Sequence, residues 1–328
     1  MVVGAQRKPS IRIKALEKKK QFPFSLASIC LDRIAETYLQ WDPADLKQLL
    51  TKKQLDQMYQ KLPTDLPLPE ATRRIADEGY WKRRVKDTDP HCQVHEHGHS
   101  WKQACLEGAV ERIFDGMTHG DDAMYDELRE IVSAGRAHIY NINIKTHRSH
   151  VDPSFLVEEL HCLCSFSITC GEKRIGMDYE RALFGMKIFE ARYLARMFRT
   201  SQTLIKVSLQ ANMIDDELVK VLCTGLHDMC LLTYLDVSHN KIGDRGARKL
   251  AKLLGPEHSL QTLNLADNHI HANGAMHLGA HLASNITLEH LDVHLNRFED
   301  NGVSHLFQDL SVNQKLKYLN VHFFNFSI

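Results

Sequence analysis

The sequence predicts an α/β solenoid, one strand and one helix per turn, behind a mostly helical N-terminal region. Three observations predict it. Leu204, Leu232, Leu260, Leu288 and Leu316 recur every 28 residues. Each of the first four opens one phrase, LxxLxLxxN: Leu204–Val207–Leu209–Asn212, Leu232–Leu235–Val237–Asn240, Leu260–Leu263–Leu265–Asn268 and Leu288–Leu291–Val293–Asn296. Behind each phrase a stretch of helical periodicity carries the chain back. Self-similarity at a fixed period of this length marks stacked repeats.

Within a phrase, positions 1, 4 and 6 are apolar. A short strand turns alternate side chains to opposite faces, so positions 4 and 6 point inward and positions 3, 5 and 7 outward. The outward set is mixed and polar, with Tyr234, Asp236, His290, Asp292, His294 and Tyr318 as the residues expected to contact a protein partner. In the return segment GDRGARKLAKLLG, Ala247, Leu250, Ala251 and Leu254 keep helical spacing, and Gly255–Pro256 stops it. One strand and one full helix in 28 residues matches the ribonuclease-inhibitor type of leucine-rich repeat. Asn212, Asn240, Asn268 and Asn296 are expected to form a structural ladder. An amide offers donors and an acceptor, and so can satisfy the backbone where strand becomes loop.

Two irregular capping repeats are expected over residues 136–200. Ile139–Ile142–Ile144 and Leu163–Phe166–Ile168 copy the strand spacing, with a short helix in PSFLVEEL between them. The insertion CGEKRIGMDYERALFG follows, then a helix near 187–199. The regular array would occupy 201–328. Its last strand, Leu316–Leu319–Val321, carries Phe324 where the ladder needs Asn. The sequence is therefore expected to be a shortened form of a longer array.

Upstream, residues 1–20 read as a disordered basic lead and 21–135 as a helical region. Leu26, Ile29, Cys30, Ile34 and Tyr38 fall near one stripe, and PADLKQLLTKKQLDQMYQKL continues as helix. LPTDLPLP (62–69) reads as an extended connection. EGYWKRR, a His-rich stretch over 91–105, and helices near 101–115 and 122–134 complete the region.

The 328 residues carry 41 basic and 41 acidic side chains. That balance gives no support to nucleic-acid binding, although the basic lead could touch an acidic surface such as a microtubule. The eight scattered cysteines suggest a reducing compartment. No apolar run approaches the roughly 20 residues of a membrane span, and no membrane partner is expected.

His91, Cys92, His95, His97, His99 and Cys105 crowd into fifteen residues. Cys92 and His95 have a zinc-like spacing, but no second pair follows at finger distance. A polar loop packed by Trp81 and Trp101 is the preferred reading, with no metal and no cofactor. SLASICLDRI resembles the elongin-binding box of ubiquitin-ligase substrate receptors; its bland alternative is an amphipathic helix with Leu26 and Cys30 in the core. Asp215, Asp216, Glu299 and Asp300 follow the ladder positions, where acids cap helices. No nucleophile–base–orienter set appears along the outward face, so no catalytic residue is expected.

LDVSHNKIGDRGARKLAKLL (235–254), the insertion CGEKRIGMDYERALFG, and the blocks SLASICLDRIAE, LPTDLPLP, DEGYWKRR and HGHSWK resemble, in the same order, the family of subunit 5 of the nexin–dynein regulatory complex, the t-complex-associated testis-expressed family. The resemblance covers roughly residues 25–322 and implies a non-catalytic scaffold of motile cilia and sperm flagella. It implies as partners the other subunits of that complex, and indirectly dynein or the microtubule doublet. It also implies an axonemal location.

Overall fold

The computed structural model describes residues 25–118, 120–171 and 184–322. The basic lead, most of the 170–185 insertion and the terminal FFNFSI lie outside the described residues. The chain divides into two compact units, residues 1–92 and 93–328.

The first unit is helical. Ser25 caps α1 (Leu26–Glu36) and Asp42 caps α2 (Pro43–Leu49). Thr51 opens α3 (Lys52–Lys61) with a capping box, its backbone N–H donating to Gln54 and its hydroxyl accepting from Gln54 N–H. This cap splits what the sequence reads as one continuous helix. The predicted extended connection also ends early, because α4 (Leu68–Arg74) begins within it with proline in its first turn. Asp77 caps α5 (Glu78–Thr88). Tyr38, Leu46, Met58, Leu62, Ile75, Tyr80 and Trp81 are each at most 2% exposed and form the core. Arg83 donates to Tyr59 O and Leu62 O, and Arg84 to Leu66 O. These bonds anchor the proline-rich segment to α5. The α1 stripe differs from the expected one. Leu31, Ile34, Ala35 and Tyr38 are buried, while Leu26 and Ile29 stand half exposed. At about 100° per residue, Leu26 and Ile29 sit on the far side of α1 from Leu31.

The second unit is the solenoid. After a 3₁₀ turn (Val94–His97) come α6 (Trp101–Gly116) and α7 (Asp122–Gly135). Then strands alternate with helices: β1 (Asn141–His147), α8 (Phe155–Glu159), β2 (Ser165–Cys170), α9 (Ile188–Thr200), β3 (Lys206–Ser208) and α10 (Asp216–Leu226). The regular repeats continue as β4 (Tyr234–Asp236), α11 (Asp244–Ala251), β5 (Thr262–Asn264), α12 (Ala272–Leu282), β6 (His290–Asp292), α13 (Glu299–Leu310) and β7 (Tyr318–Asn320). All seven strands are parallel and lie in chain order. Val207, Leu235, Leu263, Leu291 and Leu319 are register partners in turn. The inward side chains of β3 to β6 are essentially buried, as the phrase requires.

Helices α6 and α7 fold with the solenoid rather than with the helical first unit, because α6 closes the sheet edge. Among the described residues strand β1 has no partner strand on its outer side, and bare edge groups must be paired or covered. Glu107 accepts from Tyr140 N–H and Asn141 N–H, Glu111 from Asn143 N–H, and Asp115 from Thr146 N–H. These acids are four residues apart, hence one row on α6.

Glu111 gives this edge a pH dependence. Burial pushes its carboxyl up to about 7, against the Asn143 N–H, Lys145 and His97, which favour the ionised form. The folded chain therefore holds this proton more tightly than the unfolded chain, and stability falls as pH rises from about 4.5 through 7. Glu111→Gln keeps an acceptor for Asn143 and loses the titration. The difference in urea midpoint between variant and parent should move in the variant's favour from pH 5 to pH 8, and a flat difference would refute this.

The helix starts depend on the neighbouring repeat. Asp216 accepts from Gly243 N–H and Gly246 N–H at the start of α11, and Asp244 from His271 N–H and Gly274 N–H at the start of α12. Asp215 caps its own helix, α10. A Cβ on Gly274 would stand 2.3 Å from Ile270 Cγ2 and 2.7 Å from Asp244 Oδ1, so glycine is what lets the borrowed cap approach.

Candidate functional site

The outward face is built on two stacked hydrogen-bond ladders. The first holds the turn behind the strands. Asn240 Oδ1 accepts from Asn212 N–H and Ile214 N–H, and its Nδ2 donates to Leu209 O, Val237 O and Ser238 O. Asn268 and Asn296 make the matching three donations one and two repeats on, and their Oδ1 atoms accept from Ile242 N–H and Ile270 N–H. Asn212 reaches back to the irregular repeat, accepting from Cys170 N–H and donating to Ile168 O. All four amides are at most 5% exposed. The residue before each is left-handed: Ala211, His239, Asp267 and Leu295 have φ of 52–56°.

The second ladder runs across the face at position 5 of the phrase, with residues Asp236, Asn264, Asp292 and Asn320. Each accepts through Oδ1 from the N–H two residues on, in Ser238, Ala266, His294 and His322. Acid and amide alternate, so donors meet acceptors. Asn264 Nδ2 donates to Asp236 Oδ2, and Asn320 Nδ2 to Asp292 Oδ2, both at 3.1 Å. Neighbouring strands are about 4.8 Å apart, and like charges directly opposite destabilise a sheet. Asn264→Asp should therefore cost about 2 kcal/mol. Thermal unfolding beside the uncharged Asn264→Ser checks this; equal losses from the two variants would argue against a charge effect.

The expected contact residues separate into two groups. Asp236 is 1% exposed. Its carboxylate accepts from the Tyr234 hydroxyl, the Ser238 hydroxyl and N–H, Asn264 Nδ2 and Gln210 Nε2. It orients Tyr234 and is not free for a partner, so charge reversal there would disturb the array itself. Burial, and then Asp236, push the Tyr234 hydroxyl up to about 12, which keeps it the donor. Asp292 differs, with its side chain 25% exposed and its Oδ1 2.5 Å from His294 Nδ1. His290 is exposed, and Tyr318 is 52% exposed. Their rings lie 6.1 Å apart at 36°.

Tyr234, Thr262, His290, Asp292 and Tyr318 line one cleft of about 290 Å³, with Asn264 at its base and the strand leucines below. Sequence reasoning passed over Thr262 as an ordinary outward residue. The signal was its size: a short side chain between Tyr234 and His290 in the position-3 row.

The His-rich stretch is used differently. His97 Nδ1 lies 2.5 Å from Glu107, which is fully buried. The carboxylate raises the His97 pKa against the opposing effect of burial. Cys105 is buried on α6, while His91, His95 and His99 are exposed. Among the described residues no group of three or more His, Cys, Asp or Glu is placed to hold a metal, and no helix is long and apolar enough to cross a membrane.

A family model described as leucine-rich repeat matches residues 228–251, 258–279 and 284–307. The chain is 35% identical over 175 residues to a dynein regulatory complex subunit 5 of Chlamydomonas reinhardtii, a match covering 52% of this chain and 44% of that one. It is 31% identical over 256 residues to the protein of that name in Macaca fascicularis, covering 70% and 50%. The chain thus spans about half the length of the curated relatives it matches. Among solved structures, an internalin of Listeria monocytogenes is 20% identical with a TM-score of 0.32, covering 58% of this chain and 43% of the internalin. The relatives lend no support to the elongin-box reading of residues 25–34.

Proposed function

We propose that this chain, a leucine-rich-repeat protein related to dynein regulatory complex subunit 5, is a non-catalytic scaffold of the axonemal nexin–dynein regulatory complex. In this reading it helps to link neighbouring doublet microtubules and to restrain dynein-driven sliding in cilia and flagella. Its partners are other subunits of that complex. It works by presenting a shaped surface: β2 to β7 pair in unbroken register and hold outward side chains at fixed spacing, and each repeat is braced by its neighbours.

The observation that carries the reading is the union of that relationship with an outward face on which His290 and Tyr318 are exposed and Asp292 is partly exposed, all on hydrogen-bonded strands. Aromatic and adaptable polar side chains of this kind suit protein docking. A tagged copy in ciliated cells should co-localise with the axoneme and resist detergent extraction. Tyr318→Ala should release it into the detergent-soluble fraction without lowering its unfolding temperature by more than about 2 °C, since an exposed side chain adds little stability. A diffuse cytoplasmic signal from the parent chain would overturn the proposal.

A further inference from the structure

The cleft over Thr262 has the shape and charge of a receptor for one particular side chain. Register places Tyr234, Thr262, His290 and Tyr318 side by side on β4, β5, β6 and β7. At about 4.8 Å per strand, Tyr234 and His290 straddle a gap of roughly 10 Å. Thr262 is too short to fill it. The gap admits one flat group with a ring on either side.

The polar lining specifies the sign of that group's charge. Among the described residues no Lys or Arg lines the cleft, and His294 meets Asp292 through Oδ1. Asp236, which accepts from the lining residues Tyr234 and Asn264, is bonded to neutral donors, with Gln210 and Ser238 as the others, so its negative charge is dispersed but not cancelled. Asp292 Oδ2 accepts from Asn320 Nδ2, and a carboxylate oxygen has two lone pairs. It therefore has capacity for a further donor facing the cleft. A guanidinium is flat, stacks on aromatic faces and donates to carboxylates; an ammonium is compact and holds its water.

We infer that the Thr262 cleft receives an arginine side chain of a partner polypeptide, its guanidinium between Tyr234 and His290 and donating to Asp292 Oδ2. This rests on the reading of the outward face as a docking face. It also gives the two acids different tasks. Asp292 meets the ligand, and Asp236 holds the wall.

The test is methyl NMR on the full chain, labelled at Thr and Leu, titrated with N-acetyl-arginine amide, N-acetyl-lysine amide and the neutral isostere N-acetyl-citrulline amide. Arginine amide should shift the Thr262 methyl saturably. Citrulline amide should bind about tenfold more weakly or less, as befits loss of a charge-assisted hydrogen bond. Asp292→Asn should weaken arginine amide to the same degree. Thr262→Tyr, which fills the cleft while leaving Asp292 in place, should abolish the response. Equal response to citrulline or lysine amide, or unchanged binding by either variant, overturns the assignment. If arginine amide leaves Thr262 unmoved while Tyr318→Ala still releases the chain from axonemes, the guanidinium assignment falls and the docking reading stands. If arginine amide binds as described while Tyr318→Ala stays on axonemes, the docking reading falls and takes the partner polypeptide with it, leaving only a guanidinium-binding cleft.

Discussion

Glu107→Ala should lower the unfolding free energy by roughly 3–5 kcal/mol, the range for removing one partner from a buried, hydrogen-bonded charge pair. Glu107 is fully buried and accepts from His97, Gln103 Nε2, Tyr140 N–H and Asn141 N–H. The alanine variant leaves the N–H groups of Tyr140 and Asn141, at the start of β1, without this acceptor and an imidazole without its carboxylate. It also opens a cavity. Glu107→Gln is the informative control. Its amide oxygen can still serve Tyr140 and Asn141, so about half the loss should return. Urea unfolding followed by tryptophan fluorescence and by far-UV circular dichroism gives both values. A loss under about 1 kcal/mol for the alanine variant would mean that α6 does not close the sheet edge in solution. The same experiment has a signed pH component. Because the His97 pKa is raised by Glu107, this pair contributes most below the ordinary imidazole pKa of about 6.5 and fades as pH rises through the folded value. The gap between parent and His97→Gln should therefore narrow toward pH 9.

Asn240→Ala should cost about 3 kcal/mol or more. The amide makes five hydrogen bonds, two to the preceding repeat's N–H groups and three to carbonyls. Each buried group left unpaired costs about 1–3 kcal/mol. Asn240→Asp should be no better. It keeps the acceptor but points a buried charge at three carbonyl oxygens. In contrast, a change at exposed Lys241 in the next position should stay within about 0.5 kcal/mol. Hydrogen exchange adds a spatial check, since protection should fall first at Asn212 and Ile214. Protection lost evenly along the whole array would contradict a local role.

Most of the architecture can be read from the leucine spacing. Leu204 to Leu316 at one interval is the parallel register seen from β3 to β7, and the alternation within each phrase tells which side chains are buried. The edge is another matter. Glu107, Glu111 and Asp115 are visible in the sequence as acids four apart on a helix. Their acceptors' partners, the N–H groups of residues 140–146, lie some thirty positions away. Nothing in the spacing links the two. The candidate site was half legible. Tyr234, His290, Asp292 and Tyr318 were picked out by type and phase, but Asp236 occupies the same phase as Asp292 and behaves oppositely. The difference comes from Gln210, Tyr234 and Ser238, which turn their donors onto Asp236. The N-terminal stripe was right at Ile34 and Tyr38 and missed at Leu26 and Ile29 for a related reason: packing within the first unit turned Leu31 inward instead.

Periodicity alone was therefore enough to establish the solenoid, its strand order and the inward and outward faces, because side-chain direction follows local backbone geometry and repeats with it. Which acid is sealed, which keeps part of its side chain exposed, and what covers the first strand were settled only in three dimensions. Hydrogen bonding needs groups within about 3 Å, and only the folded chain brings distant residues that close.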